Sequence, residues 1–315
     1  MADGVAPSCK LLRVAHIRPL ACLLALLTLG GVSARGQTSD ASCPAAPAAL
    51  KPTANNIFNA RQEQDLGDAY AQIEDAHLRL VNDPAAADYL DRIGRRLLAV
   101  LPPSEFHFSY KIVDSSQVNA WSIAGGHIYF TRKLITAAAN EDEIAGVLAH
   151  ELGHILIHQQ AIEATGDLKY ALDVTSVGGR ADIFDKVQRL RDAESEWSWQ
   201  PPPQKYEEIA DAVAVYALTK AGYLPGAYAE FWNQIAQTKG KTGSVIGSIF
   251  HATGPNEQRL RAILRAVSAI PPRCTTATAP SIPPEFVAWR GKVAADPTTV
   301  VAGDAGKATR ARRRS

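Results

Sequence analysis

Residues 140–158 read NEDEIAGVLAHELGHILIH, and the interpretation of the whole chain turns on them. Within them, His150-Glu151-Leu152-Gly153-His154 forms an HExxH pattern. Ile144, Val147, Leu148, Leu152 and Ile155 recur at three- and four-residue spacing, the period of a helix with a buried side. Asn140 is a suitable N-cap, Glu143 stands three residues later as in a capping box, and Glu141 and Asp142 suit the positive end of the helix. Ala145, Gly146, Ala149 and Gly153 leave room for other backbones to approach. Two histidines four apart on such a helix sit about 40° apart around its axis and one turn along it. Both imidazoles therefore reach a single Zn²⁺ at roughly 2.0–2.1 Å. Glu151 projects to the side of the pair, where it suits a general base taking a proton from an attacking water.

The remaining bulk properties limit the alternatives. The chain has 315 residues and a net charge of +1, with 33 Lys and Arg against 32 Asp and Glu. That length supports a sizeable core, and the balanced charge points to no nucleic-acid partner. Residues 1–34 read as an export signal: Lys10, Arg13 and Arg18 precede an apolar run over residues 20–29, and Val32-Ser33-Ala34 offers a cleavage site. The run is short for a spanning helix, so an exported, soluble protein is expected, with an uncleaved anchor as the alternative. Its location would be periplasmic or extracellular. Cys43 and Cys274 remain after the signal. In an oxidising compartment they either form one disulfide or stay as two thiols in flexible termini.

Outward from the central helix, residues 35–56 read as a linker rich in Ala, Pro, Ser and Thr. A domain over residues 57–270 follows. Helices are expected from Ile57, with Leu66, Tyr70 and Ile73 on one face, and over residues 87–101 before Pro102-Pro103. FHFSYKIV, residues 106–113, alternates as a strand. NAWSIAGGHIYF, residues 119–130, reads as a second strand bent at Gly125-Gly126. Further helices are expected over residues 131–139, 169–177, 181–197, 206–221 and 225–237, and residues 256–269 close the globular part. Trp197, Trp199 and Pro201-Pro202-Pro203 read as a stiff connection, and the Gly- and Ser-rich residues 239–254 as a mobile flap. Residues 271–315, rich in Pro, Ala and Thr and ending in a basic run at 310–314, read as a disordered tail. Peripheral contact of that basic run with a membrane or envelope surface is its sharper alternative. The expected class is α+β and helix-rich, with the edge strand of a small sheet lining a cleft beside the metal helices.

A catalytic zinc needs a third protein ligand and one open position. Glu207-Glu208-Ile209-Ala210-Asp211 lies on the next strong helical segment and supplies candidates. With HExxH followed by ExxxD on a later helix, the chain resembles the M48 family of zinc peptidases. Asn119-Ala120 with Gly125-Gly126-His127-Ile128-Tyr129, and Ala221-Gly222-Tyr223 followed by Phe231-Trp232, also resemble segments of that family. The resemblance runs from about Leu66 to Leu264.

It implies a zincin-like domain holding one Zn²⁺ through His150, His154 and Glu207, with Glu151 catalytic and Asp211 steadying a liganding histidine. Glu208 is a rival ligand, but position 212 is Ala where a carboxylate is required. The strand carrying Asn119, Ala120, Trp121, Gly125 and Gly126 would bind an extended substrate by main-chain pairing. His158 extends the pattern, yet lies about 12 Å along the axis from His150 and reads as flanking the helix end. His127 reads as structural or substrate-facing. The family's His-Pro segment is altered here to His251-Ala252, with Arg259 downstream. His251 is a candidate regulator of the open zinc position, and Arg259 a candidate for transition-state stabilisation or a structural ion pair. The implied function is endopeptidase cleavage of unfolded or misfolded exported proteins. The alternatives are a zinc-bound, chaperone-like or latent quality-control protein, and a zinc hydrolase of a non-peptide amide.

Overall fold

The HExxH helix is apolar nearly all round, so it must be covered on every side. In a computed structural model describing residues 42–47, 56–194, 204–242, 256–295 and 299–301, it is. The elements run α1 (Ala60–Asp75), β1 (Arg79–Val81), α2 (Pro84–Leu98), β2 (Ser109–Val113), β3 (Ala120–Ile123), β4 (His127–Thr131) and α3 (Arg132–Ala137). Then come α4 (Glu141–Leu156), α5 (Gln159–Leu172), α6 (Arg180–Glu194), α7 (Gln204–Ala221) and α8 (Ala227–Thr242). The last are α9 (Glu257–Ser268), α10 (Pro284–Ala295) and β5 (Thr299–Val301). Every residue of α4 from Asp142 to Leu156 is buried, against α7, α8, α2 and the sheet. Among the described residues no helix is long and apolar enough to cross a membrane.

Two glycines of α4 set how closely its neighbours lie. A Cβ on Gly153 would stand 2.8 Å from the Cα of Ala210 on α7. One on Gly146 would stand 2.7 Å from the Cβ of Tyr228 on α8. The propensity cost of about 1 kcal/mol per helical glycine is offset by this close packing. The N-terminus is capped as the sequence suggests, Asn140 Oδ1 accepting from the Glu143 amide at 3.0 Å. The Glu143 carboxylate turns back to the Ala139 amide at 2.7 Å and to Asn140 Nδ2 at 3.0 Å.

The helix-rich α+β class holds, but the sheet is built differently from the expectation. Its order is β3-β4-β2-β1-β5, with β2 and β4 parallel and the other pairs antiparallel. Residues 119–130 are not one bent strand. Gly125 and Gly126 adopt positive φ and close a tight 3₁₀ turn, so β3 and β4 fold back as an antiparallel hairpin in the register Ala120↔Phe130. Strand alternation then sends Ala120 and Ser122 of β3, with Ile128 and Phe130 of β4, to one face. Trp121 stacks on Tyr129 on the other, ring centroids 5.0 Å apart. β3 lies at the end of the sheet, with no further strand beside it among the described residues. After α1 the chain extends into the short strand β1, Arg79–Val81.

The largest correction concerns the expected tail from residue 271. Pro284–Ala295 forms α10, with Phe286, Trp289 and Val293 buried in the main core. Trp289 stacks on Tyr89 of α2 at 4.4 Å and donates its indole N–H to Ala86 O at 2.9 Å. Three large side chains on one face of a single short segment gain more by burial than a linker of this composition would suggest. The segment before α10 also crosses the start of α4: Glu141 N donates to Ser281 O at 2.9 Å, and Asp142 accepts from the Ser281 amide. Cys43 and Cys274 are joined in a disulfide with Cα atoms 5.4 Å apart, resolving the two alternatives left by the sequence. The signal over residues 1–34, most of the linker, the Trp and Pro connection, the greater part of the flap and the basic run lie outside the described residues.

Candidate active site

α4 and α7 make the most extensive helix–helix contact of the fold, and the cluster forms where they cross. His150 and His154, one turn apart, are 8% and 6% exposed. Glu207, in the first turn of α7, faces both, its Oε2 3.6 Å from His150 Nε2 and its Oε1 3.6 Å from His154 Nε2. The two Nε2 atoms stand 3.0 Å apart with the rings nearly perpendicular. One donor atom from each of the three residues lies within 4.8 Å of the others. Two imidazole nitrogens and one carboxylate oxygen, converging in a buried corner, fit a catalytic zinc with its remaining position open.

Each side chain of the cluster is held from behind. Asp211 follows Glu207 by one turn, and its Oδ1 lies 3.1 Å from His150 Nδ1, close enough for charge pairing though off the angle of a formed hydrogen bond. Arg259 of α9 binds Asp211 with Nε and Nη2, both at 2.8 Å, and reaches Glu207 Oε2 with Nη1 at 2.7 Å. The Tyr228 hydroxyl donates to Asp211 at 3.1 Å while its ring lies over His150. On the other side, His154 Nδ1 meets Gln159 Oε1, and Gln159 Nε2 donates to Glu163 Oε1 at 2.9 Å. Glu151 is buried beside the pair and accepts a hydrogen bond from Ser122 Oγ at 2.9 Å.

The charges fit a cation site. Burial opposes charge on His150, yet the carboxylates of Asp211 and Glu207 beside it outweigh it and raise its pKa to about 10. Burial and then the charge on His150 push His154 down to about 4. Burial would raise Glu207, but His150, His154 and Arg259 hold it down at about 2. The carboxylates that favour a proton on His150 equally favour a metal cation there, which binds in exchange for protons. Burial, opposed by His150 and Ser122, raises the Glu151 pKa, the direction required of a base that must later act as an acid.

His150, His154, Glu151, Glu207, Asp211 and Arg259, separated by more than a hundred residues, thus come together. Arg259 is fully engaged by the two carboxylates, the ion-pair alternative of its sequence reading. Glu208 is exposed and bonds Gln204 instead. His158 ends α4 in a left-handed conformation and pairs with Glu63 at 2.7 Å, away from the cluster. His127 is held between Ser109 and Asp68. Asn119 and Ala120 are buried, Asn119 exchanging hydrogen bonds with Thr131. Gly125 and Gly126 pack against Gln64 and His107, so they shape the hairpin turn and do not extend the open edge. His251 lies outside the described residues.

Ser122, Gln159 and Tyr228 were not singled out from the sequence. Ser122 was within reach of it, because strand alternation from Ala120 sends it toward α4. Gln159 was not, since its position depends on the positive φ of His158.

Comparison with known proteins agrees with this geometry. The family model for Peptidase family M48 matches residues 84–267. The Beta-barrel assembly-enhancing protease of Escherichia coli (strain K12) is 24% identical over 230 residues, covering 69% of this chain and 45% of that protein. Mitochondrial metalloendopeptidase OMA1 of Schizosaccharomyces pombe (strain 972 / ATCC 24843) is 22% identical over 176 residues, 56% of this chain and 51% of its own. Metalloprotease YcaL of Escherichia coli (strain K12) is 32% identical over 103 residues, 28% of this chain and 40% of its own. The chain therefore spans about half the length of these relatives, or less. Because the match spans more than half of this chain and includes every residue of the cluster, the chain belongs to peptidase family M48.

Proposed function

We propose that the chain is a zinc-dependent endopeptidase that hydrolyses unfolded or misfolded exported polypeptides, with one zinc per chain. The observation that carries this reading is the convergence of His150, His154 and Glu207 with a buried carboxylate, Glu151, beside them. A purely structural zinc has no use for such a base.

His150, His154 and Glu207 would hold the metal. When bound, zinc supplies Lewis acidity, polarising the scissile carbonyl and making a water acidic near neutral pH. Glu151 takes the proton of the attacking water and delivers it to the leaving amine. Ser122 Oγ holds one oxygen of Glu151 and so fixes the carboxylate beside the histidine pair. Asp211 orients His150, and Arg259 and Tyr228 hold Asp211 in turn. An extended substrate pairs with the outer edge of β3. That mode requires a flexible segment and so selects unfolded chains.

The Cys43–Cys274 disulfide supports an oxidising, exported location. The similarity to relatives named as proteases and a metalloendopeptidase favours peptide-bond hydrolysis. The test is casein cleavage by the purified chain before and after zinc is stripped by a chelator. Cleavage lost on stripping and restored by stoichiometric zinc supports the reading. A zinc-loaded chain that binds unfolded casein and leaves it intact favours the chaperone-like alternative.

A further inference from the structure

We infer that Glu163 is a positioning residue that, through the amide of Gln159, fixes which nitrogen of His154 carries its proton. This rests on His154 being a zinc ligand. It adds a residue that neither the HExxH pattern nor the ExxxD pattern contains.

Hydrogen-bond polarity carries the inference. Gln159 Nε2 lies 2.9 Å from Glu163 Oε1. A carboxylate oxygen accepts, so the NH₂ end of the amide must face Glu163. The carbonyl end then faces His154 Nδ1, where it is found. A carbonyl only accepts, so Nδ1 carries the hydrogen and Nε2 keeps its lone pair. That lone pair points into the cluster, toward Glu207 and His150. If the amide were reversed, its NH₂ would donate to Nδ1 and move the imidazole hydrogen to Nε2, where it blocks ligation. Burial raises the pKa of Glu163; the polarity belongs to the ionised carboxylate, which only accepts, whereas a protonated carboxyl would also donate.

The two histidines are thus supported by different chemistry. His150 faces a carboxylate, Asp211, which has no wrong way round. His154 faces an amide, which does, and Glu163 removes the ambiguity. The geometry is fixed further upstream. His158 adopts φ 58° at the junction of α4 and α5, and its Nδ1 pairs with the buried Glu63 at 2.7 Å. This turns the chain so that Gln159 points back at His154, five residues earlier. Glu163, one turn along α5, then meets the far end of the amide.

The experiment uses the full chain with ¹⁵N-labelled histidine, together with zinc affinity measured by competition with a chromophoric chelator. Expected are an Nδ1–H tautomer for His154 in the metal-free protein and a loss of zinc affinity of about 10–100-fold in Glu163→Ala. Adding Gln159→Glu to that variant should restore affinity to within a few-fold, because a carboxylate at 159 needs no orienting partner. Loss of packing at 163 would not be rescued in this way. An Nε2–H tautomer, unchanged affinity in Glu163→Ala, or failure of the second substitution to restore it overturns the inference. A wild-type chain that binds no zinc defeats the metal-site reading instead, and the tautomer measured on the same sample still decides the role of Glu163.

Discussion

Arg259, only 6% exposed, grips Asp211 through two hydrogen bonds of 2.8 Å. The pair links α9 to the side of α7 that faces His150, although the two residues are 48 positions apart. A forked charge pair of this kind is worth keeping only when both halves are present. Removing one leaves the other buried without a partner.

Arg259→Ala should therefore destabilise the metal-free chain by about 3–5 kcal/mol in urea unfolding and weaken zinc binding as well. Unchanged stability with a fall in kcat alone would assign Arg259 to the transition state instead.

Ser122 makes a narrower contribution. Its hydroxyl holds one oxygen of Glu151 from the strand expected to bind substrate. Ser122→Ala should lower kcat about tenfold, a part of the 10²–10⁴ that a general base contributes, with KM and zinc content unchanged. Equal kcat in the variant would remove Ser122 from the mechanism.

The indole of Trp289 bridges α10 to α2 by stacking on Tyr89 and bonding Ala86 O. Trp289→Ala should cost about 3–5 kcal/mol, read as a lower melting temperature. A variant melting with the wild type would show that α10 contributes nothing to the core.

The disulfide closes a loop across a separation of 231 residues. Replacing Cys43 and Cys274 together by Ser should cost about 2–5 kcal/mol, mainly through freedom returned to the unfolded chain. The wild type under a dithiol reductant should melt like the double variant, and a reductant-insensitive melt would contradict the bridge.

Much of the site was legible in the sequence because its parts are local. His150 and His154 share one helical face by spacing, and Asp211 follows Glu207 by one turn of another helix. The alternation of residues 106–113 was equally readable as the strand that became β2. Gly125-Gly126 reads as a bend within one strand because two glycines suit a bulge and a reversing turn alike. Only the pairing of Trp121 with Tyr129 decides between them. α10 was missed because Phe286 and Trp289 gain their stability from α2 and α3, far away in the chain. Gln159 depends on a left-handed residue, His158, a conformation that no periodicity announces. Local pattern identifies the candidate ligands, and tertiary contact supplies what holds them.

The most direct measurement is casein cleavage by Glu151→Gln beside the wild type, each with its zinc content determined. The account predicts one zinc in both and cleavage at least about 10²-fold slower in the variant. Equal cleavage by the two zinc-loaded proteins would contradict Glu151 as the base and, with it, the catalytic reading of this site.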